Sequence, residues 1–178
     1  MLGDRIRQIR QQQGTSLVQL SRKVGLTPSL ISQVERDLVS PSINSLRKIA
    51  RALDVPITAF FEEDGPQGTV VRAASRKKLL LPDSLVEYEL LSPDQNRRVE
   101  LLLTRLGVGG QTSEDAFGHD GEETVLVLGG QVKFYLGTEV HILNDGDSVW
   151  FEASVPHKMV NTGQTKVTLI SAISPPSF

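Results

Sequence analysis

The chain has 178 residues, 39% hydrophobic and 22% charged, with a net charge of −2; that length can bury one sizeable core or two small ones. There is no cysteine, which excludes a disulfide framework and any thiolate zinc site, so a metal would need histidine and carboxylate ligands. The first twenty residues carry charge throughout and no apolar run reaches membrane-spanning length, which argues against a secretory signal and predicts a cytoplasmic protein with no membrane partner.

The charge divides along the chain. Residues 1–61 hold nine Lys/Arg and four Asp/Glu, a balance of +5, while residues 62–178 hold ten and seventeen, a balance of −7. A basic end on an acidic body points to a polyanionic partner for the first part alone.

In the first part, apolar residues recur at helical spacing: Leu2, Ile6 and Ile9, then Leu17, Leu20 and Val24, then Ile43, Leu46, Ile49, Ala50 and Leu53. Capping residues mark the starts. Ser16 with Gln19 forms a capping box, Thr27 precedes Pro28 at a first helical position, and Ser42 follows a proline, while Gly14 and Gly25 supply breaks. Pro56 is expected to open a last short helix whose Ile57, Phe60 and Phe61 close the core, giving five helices in about sixty residues.

The two helices joined across "KVGLTP" have the length and central glycine of a helix-turn-helix, whose second helix lies in the DNA major groove. In "TPSLISQVERD" the residues Ile31 and Val34 turn to the core and leave Ser29, Ser32, Gln33 and Arg36 outward. Such a face suits base-edge reading, with Gln matched to adenine and Arg to guanine or phosphate.

The segments "RIRQIRQQQG", "LSRKVGLTPSLISQVERD", "SPSINSLRKIARALDVP" and the closing "FF" resemble the lambda-repressor-like, XRE/Cro-type DNA-binding domain, which covers about a third of the chain. The resemblance implies a dimer on a near-palindromic double-stranded operator. It puts Thr27, Pro28, Ser29, Ser32 and Gln33 where the family contacts bases, although Pro28 departs from the polar residue often found there. It also puts Asn44 near a phosphate, and Arg10 with Glu35 in a partly buried, structural ion pair.

After Phe61 the acidic, glycine- and proline-bearing "EEDGPQG" ends the helical pattern. We read residues 1–61 as the DNA-binding domain, 62–84 as a linker and lead-in strand, and 85–178 as a second domain. The basic run at residues 76–78 is either a further phosphate contact or the surface of a linker or edge strand. Candidate strands follow: "LVEYELL", "RVELLLTRL", "TVLVLGG", "QVKFYL", "EVHIL", "DSVWFEA", "HKMVN" and "KVTLISAI". Their number, with turns at "LGGQ", "LGTE" and "NDGD", predicts a closed barrel or sandwich.

Two of these stretches, "HDGEETVLVLGG" and "GDSVWFEASVPHKMVN", with the closing "SPPSF", resemble the two motifs of the cupin barrel. The expected fold is therefore multidomain, α then all-β: a five-helix DNA-binding domain followed by a cupin double-stranded β-helix, or jelly roll. A full cupin metal site uses an H-x-H pair, a glutamate and a later histidine. Here Phe117 stands at the first position, and His119, Glu123 and His157 at the other three. No cofactor is expected, and the four residues are read as an effector pocket; the alternative is a divalent metal on His119, Glu123 and His157, a two-histidine, one-carboxylate set sufficient for Fe(II) or a related ion. His141 is read as an ordinary strand residue, and Tyr135, Trp150 and Phe151 as barrel wall or core.

Together these features predict a homodimeric, sequence-specific transcriptional regulator, a repressor in our reading, whose cupin domain senses a small-molecule effector. A metal-dependent cupin enzyme fused to a DNA-binding head is the alternative. The reduced ligand set and the lack of an evident extra base weigh against catalysis.

Overall fold

The structure is a computed structural model that describes residues 2–55, 57–60, 69–80, 85–93 and 98–176. Four α-helices come first: α1 (Leu2–Gln12), α2 (Leu17–Val24), α3 (Pro28–Glu35) and α4 (Ile43–Ala52). Their starts follow the capping chemistry. The Ser16 hydroxyl accepts from the Gln19 amide at 3.2 Å while the Gln19 side chain accepts from the Ser16 amide at 2.8 Å. The Thr27 and Ser42 hydroxyls each accept from the amide three residues on, at 3.2 Å. Gly25 ends α2 at φ 70°, a left-handed conformation in which glycine carries no Cβ penalty.

The fifth helix differs from expectation, because residues 57–60 form a single 3-10 turn, Ile57–Phe60. Asp54 turns left-handed at φ 51° and closes α4, leaving a few residues before the acidic break, too few for a series of i to i−4 hydrogen bonds. Ile57 and Phe60 still close the core, where Ile6, Leu20, Ile31, Leu46 and Ile49 are fully buried; Pro56 and Phe61 lie outside the described residues.

One close approach fixes how α1 meets α3. A Cβ on Gly3 would sit 2.1 Å from the Val34 carbonyl oxygen, so only glycine lets the two backbones come together there. Below that contact the Arg10–Glu35 pair is buried and bidentate, with Nε to Oε1 at 2.6 Å and Nη2 to Oε2 at 2.8 Å, and a third bond runs from Nη1 to the Thr15 carbonyl at 2.8 Å. Hydrogen bonding to Glu35 raises the Arg10 pKa above its ordinary value despite burial.

The second part is all-β among its longer elements. Among the described residues a further 3-10 turn (Ala73–Ser75) leads into nine strands: β1 (Lys77–Leu80), β2 (Val86–Leu90), β3 (Glu100–Leu106), β4 (Glu122–Gly129), β5 (Val132–Leu136), β6 (Glu139–Leu143), β7 (Ser148–Glu152), β8 (His157–Val160) and β9 (Val167–Ser174). They form a six-stranded sheet in the order β1-β2-β3-β9-β4-β7 and a three-stranded sheet in the order β6-β5-β8. The basic run at 76–78 thus enters edge strand β1, where Arg76 and Lys78 pair with Glu89.

Alternate residues of β4 and β9 turn inward, so Val125, Val127, Val167, Leu169 and Ile173 build the core with Phe134 and Phe151. The same alternation on β7 sends Phe151 in and Trp150 out. Trp150 is 57% exposed, and its indole donates to Glu122 at 2.8 Å, so it is not core.

Candidate nucleic-acid face and buried pocket

Helix α3 presents the face its sequence predicts. Ile31, Val34 and Glu35 are buried, Ser29 is exposed, and Ser32 and Gln33 are half-buried along the outer side. Thr27 and Pro28, at its start, are exposed, the Thr27 hydroxyl being spent on capping. At the far end the Arg36 guanidinium is exposed and folds back to donate to the Ser32 carbonyl at 3.2 Å. Asn44 lies elsewhere: its amide nitrogen donates to Glu114 at 3.3 Å and its oxygen accepts from the Glu114 backbone at 3.4 Å, across the junction between the helical and β parts.

The pocket forms where three chain segments meet inside the β part. Glu123 projects inward from β4, with Phe151 and Ile173 as its register partners. Phe117 and His157 exchange backbone hydrogen bonds of 3.3 and 3.0 Å, and the His119 amide donates to the Ala153 carbonyl at 2.9 Å. The four predicted residues therefore come together. His119 Nε2 and His157 Nε2 lie 3.4 and 3.6 Å from Glu123 Oε2, and the Phe117 ring packs 5.7 Å from that of His157.

Each histidine is oriented through its other nitrogen, His119 Nδ1 at 3.1 Å from the Asp120 carbonyl and His157 Nδ1 at 2.9 Å from that of Val155. A carbonyl only accepts, so each Nδ1 carries the proton, and in the neutral ring Nε2 turns its lone pair toward Glu123. Burial lowers the His157 pKa, opposed by the Val155 carbonyl and Glu123. Two lone pairs facing a carboxylate repel unless a proton or a cation stands between them. The three ligand atoms lie within 4.8 Å of one another, and these residues could hold a metal ion. His141, by contrast, is exposed on β6 beside Glu139.

Other lining residues come from elements the sequence reading did not connect to the pocket. Tyr88 on β2, Thr112 before the first motif and Arg47 on α4 are among them, around a narrow cavity of about 30 Å³. Arg47 Nη1 donates to the Thr112 carbonyl at 2.7 Å, Nη2 lies 3.5 Å from the Tyr88 hydroxyl, and the guanidinium carbon sits 4.4 Å over the Phe117 ring. A signal existed: Arg47 is four residues after Ile43 and three before Ala50, so a cation interrupts the apolar stripe of α4.

Two family models match separate stretches of the chain. The helix-turn-helix family HTH_3 matches residues 6–60, and the cupin domain family Cupin_2 matches residues 102–173. The chain is 29% identical over 177 residues to the HTH-type transcriptional regulator PuuR of Escherichia coli (strain K12), covering 99% of this chain and 96% of that one. An HTH_3 family transcriptional regulator from Vibrio cholerae superposes with a TM-score of 0.76 at 24% identity, covering 97% of this chain and 94% of that one. The FeII form of HppE superposes with a TM-score of 0.53 at 20% identity, covering 97% of each chain, a likeness of fold alone.

Proposed function

We propose, from the premise that this chain belongs to the helix-turn-helix transcriptional regulators carrying a cupin domain, that α3 reads operator bases while the β part senses a small-molecule effector. The observation that carries the reading is the outward Ser29, Ser32 and Gln33 on a helix whose other face is sealed into a core. Thr27, Pro28 and Arg36 flank this face, and Arg36 serves a phosphate or guanine. The Asn44 side chain already bonds Glu114, so in our reading it marks the junction, and any phosphate contact of its own displaces that bond.

The effector acts by favouring one placement of two DNA-reading heads over another, since a ligand shifts an equilibrium only through differential affinity. We assign the dimer contact to edge strands β7 and β6 together with the outer face of β4 beside β7. On β4 and β7, Leu126, Leu128 and Trp150 are exposed, and on β6 so are Val140 and Ile142. A second copy placed there covers both apolar surface and open strand edges. The test is duplex binding by the full chain over a salt series. Steep weakening with salt is expected of phosphate contacts, and no salt-sensitive affinity for any duplex overturns the reading.

A divalent metal on His119, Glu123 and His157 is the second reading, favoured by the convergence of the two Nε2 lone pairs on one carboxylate. Such an ion would satisfy that convergence and leave open positions to polarise a ligand oxygen. The sensor reading stands with or without it. An enzyme built on the same three ligands is the rival, and metal analysis followed by a search for turnover separates the two. Among the described residues no helix is long and apolar enough to cross a membrane, and we place the regulator in the cytoplasm with its DNA.

A further inference from the structure

Arg47 belongs to the helical part yet forms the wall of the β part's pocket. It also lines a second space, a cleft of about 830 Å³ between α4 and the β part, and it shares Phe117 and His119 with both spaces. These three residues are the partition between an open cleft and an inner cavity of about 30 Å³. A pocket for a drug-sized organic ligand has roughly 300 Å³ or more, so none of that size occupies the inner cavity while Arg47 lies over Phe117.

The chemistry around the guanidinium suggests what draws it away. Its hydrogen-bond partners at the partition are a carbonyl and a phenol, and its flat face rests on an aromatic ring. Burial pushes its pKa below the usual value, with Tyr88 and Glu123 opposing. Arginine remains charged in a protein, and its planar fork matches the two oxygens of a carboxylate, a bond roughly twice as strong as one to a neutral acceptor. Glu123, which also lines the cavity, disfavours a doubly charged ligand group.

We propose that Arg47 is the ligand-binding arm of the pocket, and that the effector is a small organic carboxylate which enters by the interdomain cleft and takes the guanidinium from the Thr112 carbonyl. This rests on the sensor reading above. Because α4 supplies the arm, carboxylate binding repositions the DNA-binding part against the β part, and by linkage operator DNA shifts carboxylate affinity by the same factor.

The test is a thermal-shift titration of the full chain with acetate, succinate, glutarate and benzoate, each beside its uncharged amide. At least one carboxylate should raise the melting temperature with an apparent Kd tenfold or more below that of its amide. Arg47→Gln should abolish the difference, and Arg47→Lys, which keeps the charge but loses the fork, should retain only part of it. The proposal is overturned if no carboxylate outperforms its amide, or if both variants respond as the unaltered chain does. Duplex binding is measured on the same samples: its loss in the unaltered chain sinks the regulator reading, whereas intact duplex binding without a carboxylate response sinks the role of Arg47 alone.

Discussion

Two arginines, one inside the helical core and one at the junction of the two parts, occupy opposite electrostatic settings. Arg10 is cancelled by Glu35 through two short bonds, and the pairing raises its pKa. At the junction Arg47 rests against a carbonyl, a phenol and a ring, and burial lowers its pKa. A buried charge with a matched partner locks one arrangement. A half-buried charge that donates to a carbonyl and lies over a ring, as Arg47 does with Thr112 and Phe117, can exchange those contacts for a carboxylate.

The comparison can be broken at several strengths. Glu35→Gln leaves Arg10 buried against a neutral amide and should cost about 3–5 kcal/mol of stability, seen as a lowered melting temperature of the helical part; an unchanged melting temperature would show that the pair is not structural. Glu123→Gln removes the one anionic ligand from the histidine cluster. If the metal reading is right, it should weaken Mn(II) or Fe(II) binding by more than the ~10–100-fold typical of losing an outer-shell partner, and calorimetry that finds no binding to the unaltered chain would remove that reading.

On α3 the same contrast is sharpened within a few residues. Gln33→Ala should leave the melting temperature nearly unchanged and relax base preference at one operator position by about 1–3 kcal/mol, measured by competition between single-base variants; unchanged operator choice would show the groove assignment to be wrong. Trp150→Asp places a charge on the outer apolar surface and should shift sedimentation toward the monomer, with duplex affinity following. The smallest effect is expected of Arg47→Met, which swaps a desolvated cation for an apolar chain of similar length and should change stability by less than about 1 kcal/mol. A loss as large as that of Glu35→Gln would make Arg47 a structural residue after all.

Much of this is legible in the sequence. The helix starts were written in Ser16, Thr27 and Ser42, because capping is local chemistry between residues three apart. The strands themselves are legible in the same way, whereas the inward residues of β4 and β9 and the outward turn of Trp150, read as barrel wall or core, follow from the sheet register. At Ile57–Phe60 the sequence predicts a fifth, short helix where the structure has a 3-10 turn, because periodicity over so few residues does not distinguish the two. Of the pocket, Phe117, His119, Glu123 and His157 were found from the resemblance of two motifs. Tyr88, Thr112 and Arg47 were not, since they lie in three other segments.

By itself, then, the amino-acid order determined the two kinds of architecture, the outward face of α3 and the set of side chains available for ligand chemistry, because periodicity, caps and motif spacing act over a few residues. Tertiary structure alone decided that Asn44 faces Glu114, that two imidazoles aim the same nitrogen at one carboxylate, and that a cation from α4 closes a pocket about forty residues and more away along the chain. Those contacts depend on how one folded part is set against another, and no local pattern encodes that distance.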